Sequence, residues 1–263
     1  MDELDRRSVD ARTGQITYRE AGSGPVVVFM HGLGGNSRTW EEQLSALSGE
    51  CRVVAWDAPG YGGSALQEEN EVAYAEAGLA LFEALGIERA TLVGHSMGGV
   101  VGVRLASIAP EKVERLVVSC SFLGDRVPAG GPLGSGYAKR IEDIDTLDIE
   151  DFARARAQGM VGSAASDRTR ERVAKIATEI NPDGFRAACR MLNHADNETA
   201  ARSLSMPVLA LSGDLDTVVP AARVDELAAA VPNCLRLHLD GVGHAPYLED
   251  VAGYNAVLRD FMA

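Results

Sequence analysis

Ser96, Asp216 and His244 are the residues of this chain whose types could together perform nucleophilic chemistry. A serine hydroxyl becomes a strong nucleophile only when a neutral imidazole takes its proton. The imidazole in turn needs a carboxylate that fixes its tautomer and stabilises its cation. The chain order Ser, Asp, His is the one expected where the serine lies on a strand-to-helix turn. We therefore predict that Ser96 attacks, His244 transfers the proton and Asp216 orients His244.

Ser96 lies in the segment Gly94-His95-Ser96-Met97-Gly98, which follows an apolar run and precedes a helix-like stretch. A turn of this Gly-x-Ser-x-Gly type forces the serine into a strained backbone conformation, and the two glycines allow the close packing that it requires. The pattern also arises by chance in plain strand-to-helix turns. The remaining motifs therefore have to support the chemical interpretation.

Two backbone amides are predicted to bind the oxyanion of a tetrahedral intermediate, which needs two N–H donors. Met97 directly follows the serine, and Leu33 lies in the glycine-rich loop 31–35 after an apolar strand-like run. The glycines of that loop allow its backbone to turn amides toward a ligand. His31 and His95, next to these groups, are interpreted as structural supports.

Strand-like and helix-like segments alternate up to residue 122 and again from residue 206, which predicts a mainly parallel α/β sheet flanked by helices. Ligands of such sheets bind beyond the carboxyl ends of the strands, where the motifs above lie. The strands are predicted at 15–19, 26–30, 51–56, 90–93, 113–120, 206–211 and 235–239.

Residues 123–205 show helical periodicity and no strand candidate, so we expect a helical cap over the strand ends. The predicted domains are a core of residues 1–122 and 206–263 and a cap of residues 123–205. The predicted helical segments of the cap are 151–159, 173–180 and 185–192, after a flexible, glycine-rich entry at 128–136.

Charge and composition restrict the partners. The net charge of −13 argues against nucleic acid and against anionic membranes as partners. No apolar run approaches membrane length and the first residues do not resemble a signal peptide, so a cytoplasmic location is expected. The four cysteines lack the spacing of a zinc site and are interpreted as reduced. No cofactor or metal is expected, and the oligomeric state, including a homo-oligomer, stays open.

Four motifs resemble the landmarks of the α/β-hydrolase superfamily. The resemblance implies the α/β-hydrolase fold, with the helical cap inserted after the sixth core strand. In that family the last Asp of a Gly-x-x-Asp-x-x-x-Pro segment is the triad acid, which matches Asp216 rather than Asp214. The four motifs are His31-Gly32-Leu33-Gly34-Gly35, Gly94-His95-Ser96-Met97-Gly98-Gly99, Gly213 to Pro220, and Gly243-His244-Ala245-Pro246.

Within the superfamily the chain is most similar to 3-oxoadipate enol-lactone hydrolases and carboxylesterase-like members. Its Leu33-Gly34-Gly35 loop, the turn at 56–60 and the segment 181–189 carry this similarity. The resemblance implies hydrolysis of a small carboxylic ester or lactone through an acyl-enzyme on Ser96.

Several alternatives stay open at this point. Haloalkane dehalogenases and epoxide hydrolases of this fold use Asp as the nucleophile, so Ser96 argues against both. Meta-cleavage hydrolases, which break carbon–carbon bonds, usually have a different oxyanion loop and a Trp after the catalytic His, whereas Ala245 follows His244 here. Perhydrolases tend to have an aromatic residue at the position of Leu33. Amide hydrolysis on the same triad, a receptor-like or scaffolding role with vestigial turnover, and Asp125 as the triad acid are further alternatives.

A substrate that carries a carboxylate would need a cation at the site. Four arginines on or near the cap are candidates for substrate binding, although a solvated surface charge is the commoner role for any single one of them. They are Arg126, Arg154, Arg156 and Arg190.

Overall fold

Eight strands form a single sheet in the computed structural model, which describes residues 5–263. The strands are β1 Arg7–Ala11, β2 Gly14–Ala21, β3 Val26–Met30, β4 Arg52–Trp56, β5 Ala90–His95, β6 Val113–Ser119, β7 Val208–Gly213 and β8 Cys234–Leu239. Their order across the sheet is β1-β2-β4-β3-β5-β6-β7-β8. β2 pairs antiparallel with β1 and β4, and every other neighbouring pair is parallel. The prediction of a mainly parallel sheet is confirmed.

Eleven α-helices accompany the sheet in the described part of the chain, and five of them, α4 to α8, lie between β6 and β7. None of the helices in residues 5–263 is both long enough and apolar enough to cross a bilayer. In chain order the helices are α1 Glu41–Leu47, α2 Glu71–Ala84, α3 Met97–Ile108, α4 Ser135–Thr146, α5 Ile149–Met160, α6 Asp167–Ala177, α7 Pro182–His194, α8 Glu198–Arg202, α9 Ala221–Ala230, α10 Pro246–Glu249 and α11 Val251–Met262.

The central strands are mostly apolar because both of their faces are covered by helices. Successive side chains of a strand point to opposite faces of the sheet. Val28 and Leu92 therefore belong to one core cluster, together with residues of α2 and α3. Phe29 and Val93 belong to the other cluster, with residues of α1 and α11. All four side chains are fully buried, which fixes the sheet and hence the positions of the strand ends.

Three of the five helices of the insertion, α5, α6 and α7, begin at polar capping residues. Asp148, Ser166 and Asn181 each accept a hydrogen bond from an amide in the first turn of α5, α6 and α7. Pro182 follows Asn181 at the first position of α7, where a missing N–H has no consequence. The helical character expected for this segment is therefore present.

Two longer elements, β1 and α4, and two short helices, α8 and α10, are not predicted from the sequence. β1 pairs only with β2, at the edge of the sheet, and its residues are mostly exposed. α4 begins at Ser135, inside the glycine-rich stretch that was expected to be flexible. Glycine disfavours helix, but the burial of Tyr137 and Ile144 stabilises α4 through packing.

Candidate active site

Ser96 occupies the turn between β5 and α3, with φ 50° and ψ −113°. Residues with a Cβ atom adopt such a conformation only when the surrounding structure imposes it. Two hydrogen bonds fix this turn: Ser96 N donates to Ser119 O at 2.9 Å, and Ser121 Oγ donates to Ser96 O at 2.7 Å. The strained turn that the Gly-x-Ser-x-Gly pattern predicts is therefore present.

The two glycines of that pattern lie where another backbone approaches closely. A Cβ atom on Gly98 would lie 2.1 Å from the carbonyl oxygen of Met30, and one on Gly94 would lie 2.4 Å from that of Gly98. Neither contact could be relieved by a side-chain rotation, because both involve backbone atoms. The glycines thus allow α3 to begin directly beside the end of β3.

Asp216 and His244 lie on the loops after β7 and β8 and are joined by a hydrogen bond of 2.8 Å between Oδ2 and Nδ1. The other carboxylate oxygen, Oδ1, accepts hydrogen bonds from the amides of Val218 at 2.8 Å and Val219 at 2.9 Å. Burial raises the pKa of Asp216, but the hydrogen bonds from His244 and from the two amides outweigh burial and lower the pKa below its ordinary value. Asp216 is therefore ionised at neutral pH and holds the Nδ1–H tautomer of His244, which leaves Nε2 to accept a proton.

Ser96 and His244 both line one cavity of about 300 Å³ between the strand ends and the helical insertion. Tyr137, Phe152 and Leu192 contribute its wall from α4, α5 and α7. Cavities of this size and mixed lining are typical of sites for small molecules. The insertion thus lies over the candidate nucleophile and base.

Asp125, the alternative acid, has a different partner. Its carboxylate forms an ion pair with Arg223, and its amide donates to Leu192 O at 3.2 Å. The carboxylate that contacts His244 is that of Asp216. The geometry therefore favours Asp216 as the triad acid.

The amides of Leu33 and Met97 have no hydrogen-bond acceptor within residues 5–263. Met97 is the first residue of α3, where N–H groups are free and the helix dipole favours negative charge. The loop that carries Leu33 is closed by a hydrogen bond from Gly35 N to Gly32 O at 3.0 Å. Leu33 and Ser96 line the same cavity. This arrangement suits the role predicted for the two amides.

Two buried histidines support these loops. His31 Nδ1 donates to Gly32 O at 2.8 Å, and His31 Nε2 accepts from Ala58 N at 3.0 Å. His95 Nε2 donates to His244 O at 2.6 Å. Burial lowers the pKa of both His31 and His95, so both rings are neutral at pH 7. Each ring fixes a loop that carries a candidate site residue.

Of the four candidate arginines, only Arg156 lines the cavity. Arg126 forms ion pairs with Glu198 and Glu226. The structure pairs Arg154 with Asp151 and Arg190 with Glu69 on the exposed surface. These three side chains lie outside the cavity lining, where their charges are already compensated.

Two further arginines line the cavity and were not selected from the sequence. Arg140 lies on α4, which the sequence did not predict, so no signal pointed to it. Arg223 lies at the start of α9, three residues after Pro220, and its proximity to the predicted acid loop could have identified it. Arg223 is paired with Asp125, whereas Arg140 has no carboxylate partner among the described residues.

Within residues 5–263, one cluster of three side chains consists of residue types that can bind a metal ion. His95, Cys120 and His244 are all buried, and their ligand atoms lie within 4.8 Å of one another. Each histidine already uses one ring nitrogen in a hydrogen bond, to Asp216 or to a backbone carbonyl. Cys120, like the other three cysteines, is a free thiol, and burial raises its pKa.

A family model described as alpha/beta hydrolase fold matches residues 25–251 of the chain. The chain belongs to this family. The hydrolase is 31% identical to the pimeloyl-[acyl-carrier protein] methyl ester esterase of Vibrio atlanticus, over 94% of this chain and 97% of that protein. It is 29% identical to the protein of the same name from Vibrio campbellii, over 94% of this chain and 98% of that protein.

Among solved structures, this hydrolase is similar to the enol-lactonase from Burkholderia xenovorans LB400. The TM-score is 0.87 at 23% identity, over 97% of this chain and 99% of the other. The expected membership of the α/β-hydrolase superfamily is thereby confirmed, and the likeness to the enol-lactonase concerns the fold. The protein is an esterase-type α/β hydrolase.

Proposed function

We propose that Ser96, His244 and Asp216 form a catalytic triad that hydrolyses a small carboxylic ester or lactone. The observation that carries the proposal is the hydrogen bond between Asp216 and His244, with His244 lining the same cavity as Ser96. The esterase names of the two relatives support the ester as the bond that is cleaved. The reaction needs no cofactor or metal.

In the proposed reaction the Ser96 oxygen attacks the ester carbonyl carbon while its proton moves to His244 Nε2. The carbonyl oxygen becomes an oxyanion that accepts hydrogen bonds from the Leu33 and Met97 amides, each worth about 3 kcal/mol in related sites. The intermediate collapses, and His244 gives the proton to the leaving alcohol. Water then attacks the acyl-enzyme by the same steps and releases the carboxylic acid.

The substrate is further proposed to carry an anionic group. Burial and the nearby charge of Arg140 both lower the pKa of Arg156, which has no carboxylate partner in residues 5–263. An anion between the two guanidinium groups would relieve their repulsion. The aromatic side chains of Phe122 and Phe152 would contact the apolar part of the substrate.

The test of the triad is hydrolysis of a short p-nitrophenyl ester by the wild type and by the Ser96→Ala variant. A fluorophosphonate probe, located by mass spectrometry, identifies the nucleophile. We expect loss of turnover in the variant and a label on Ser96 in the wild type. Unchanged turnover, or a label elsewhere, would remove Ser96 from the mechanism. If the protein cleaved a vinylogous diketone but none of the esters, the result would instead favour carbon–carbon bond hydrolysis.

The test of the anionic substrate compares a monomethyl dicarboxylate with the methyl ester of a monocarboxylic acid of equal length. We expect the wild type to prefer the anionic ester and the Arg156→Gln variant to lose about tenfold of that preference. Arg154→Gln is the matched control, because Arg154 lies on the same helix and outside the cavity. An equal preference in wild type and Arg156→Gln would contradict this part of the proposal.

A further inference from the structure

The loop that carries His244 is in direct backbone contact with the end of α5 in the helical insertion. His244 N donates a hydrogen bond to Met160 O at 2.8 Å. A Cβ atom on Gly243 would lie 2.3 Å from Gly162 N, so two glycines meet where the segments touch. The backbone of the proposed general base thus rests on the insertion rather than on the sheet alone.

Glu249, the last residue of α10, joins these two segments through its carboxylate. Oε2 accepts a hydrogen bond from Gly162 N at 2.7 Å, and both oxygens accept from Gly243 N at 3.0 Å. Oε1 also accepts from Ala245 N at 3.0 Å. The carboxylate therefore binds the amides on either side of His244 together with one amide of the insertion. Within residues 5–263 its charge is met by these amides alone, since no cation pairs with it.

The helix on the other side of this junction also forms part of the cavity. Phe152, Arg156 and Met160 of α5 line the cavity, and Arg156 Nη2 donates to Leu33 O at 2.7 Å. α5 thus contacts the loop of one predicted oxyanion donor and, through Met160 and Gly162, the loop of the proposed base. A shift of α5 would move both loops relative to Ser96.

We propose that Glu249 is a positioning residue that holds the His244 loop against the end of α5, so that the imidazole is aligned with Ser96 only while the insertion is seated. The proposal rests on the proposed function of His244 as general base. Misplacement of a catalytic group by about 1 Å typically lowers the rate about 100-fold. Loss of the carboxylate is therefore expected to lower kcat far more than it changes KM.

The experiment measures kcat, KM and the rate of fluorophosphonate labelling of Ser96 in Glu249→Ala and Glu249→Gln, together with their melting temperatures. We expect Glu249→Ala to lower kcat and the labelling rate about 10- to 100-fold, with KM changed less than about twofold. Glu249→Gln keeps one acceptor oxygen but places an NH₂ group against an amide N–H, so its kcat should lie between those of Glu249→Ala and the wild type.

Asp250→Ala is the matched control, because Asp250 caps α11 through Gly253 N at 3.0 Å without contacting the His244 loop. It should lower the melting temperature while kcat stays within about twofold of the wild type. The proposal would be overturned if kcat were the same in Glu249→Gln and in the wild type. It would also be overturned if Asp250→Ala lowered kcat as much as Glu249→Ala does. If Glu249→Ala does not fold, the isosteric Gln variant decides. Ester turnover that survives Ser96→Ala would contradict the proposed triad. This result is distinguishable from a failure of the Glu249 proposal, which leaves the loss of turnover in Ser96→Ala unchanged.

Discussion

Replacing Ser96 by glycine should stabilise the protein relative to the Ser96→Ala variant, although both changes remove the nucleophile. With φ 50° and ψ −113°, Ser96 lies outside the regions that are open to residues with a Cβ atom. For glycine this conformation is the mirror image of an extended one and is freely available. The alanine variant keeps the strain, and the glycine variant loses it.

The expected difference follows from two opposing effects. A residue held in a strained backbone conformation costs about 1–3 kcal/mol of stability. The greater freedom of glycine in the unfolded chain offsets about 0.5–1 kcal/mol of the gain. Ser96→Gly should therefore exceed Ser96→Ala by about 1 kcal/mol in the free energy of unfolding, or about 2–4 °C in melting temperature for a chain of this size.

Thermal and urea unfolding of the two variants provide the test. Ser48 is the control site, because its φ of −63° is ordinary for any residue. There Ser48→Gly should be less stable than Ser48→Ala by about 0.5–1 kcal/mol. If Ser96→Gly is no more stable than Ser96→Ala while the Ser48 pair behaves as expected, the turn stores no strain and the reasoning is refuted.

Three further predictions concern the same region. Asp216→Asn should lower kcat on a p-nitrophenyl ester about 10⁴-fold at pH 7, because the amide NH₂ would favour the wrong tautomer of the catalytic imidazole; a loss below tenfold would contradict the assigned acid. The pKa values of His31 and His95 are lowered by burial, so the unfolded chain binds more protons below about pH 6.5 than the folded chain does. The free energy of unfolding, measured in urea, should therefore fall as the pH falls from 7.5 to 5.5, by up to about 1.4 kcal/mol per unit for each histidine. A pH-independent midpoint would exclude this effect. Gly98→Ala should lower the free energy of unfolding by about 1–3 kcal/mol, because its Cβ meets a backbone carbonyl. Gly102→Ala on the same helix is the control, because a Cβ atom at this position meets only the end of a flexible side chain. An equal loss of unfolding free energy in Gly102→Ala would argue that the contact between Gly98 and the Met30 carbonyl is not the cause.

The strands and the order of the motifs could be predicted because they depend on local sequence. Runs such as Val26–Met30 are apolar at every position, and only a strand covered on both faces of the sheet needs that composition. Ser96, Asp216 and His244 each follow a predicted strand, and parallel strands bring their carboxyl ends to one edge. β1 was not predicted, because a mostly exposed edge strand is defined by its partner β2 and not by its own composition.

The tertiary structure alone decided which charged side chains face the cavity. Arg154 and Arg156 are two positions apart on α5, and only the orientation of the packed helix places Arg156 in the cavity and Arg154 in solvent. Glu249 contacts Gly162, 87 positions away, through a junction that no local pattern encodes. The sequence by itself determined the elements and the chemistry of Ser96, because periodicity and residue type are local properties. The direction of a side chain depends on packing between distant segments, and that is fixed only when the chain has folded.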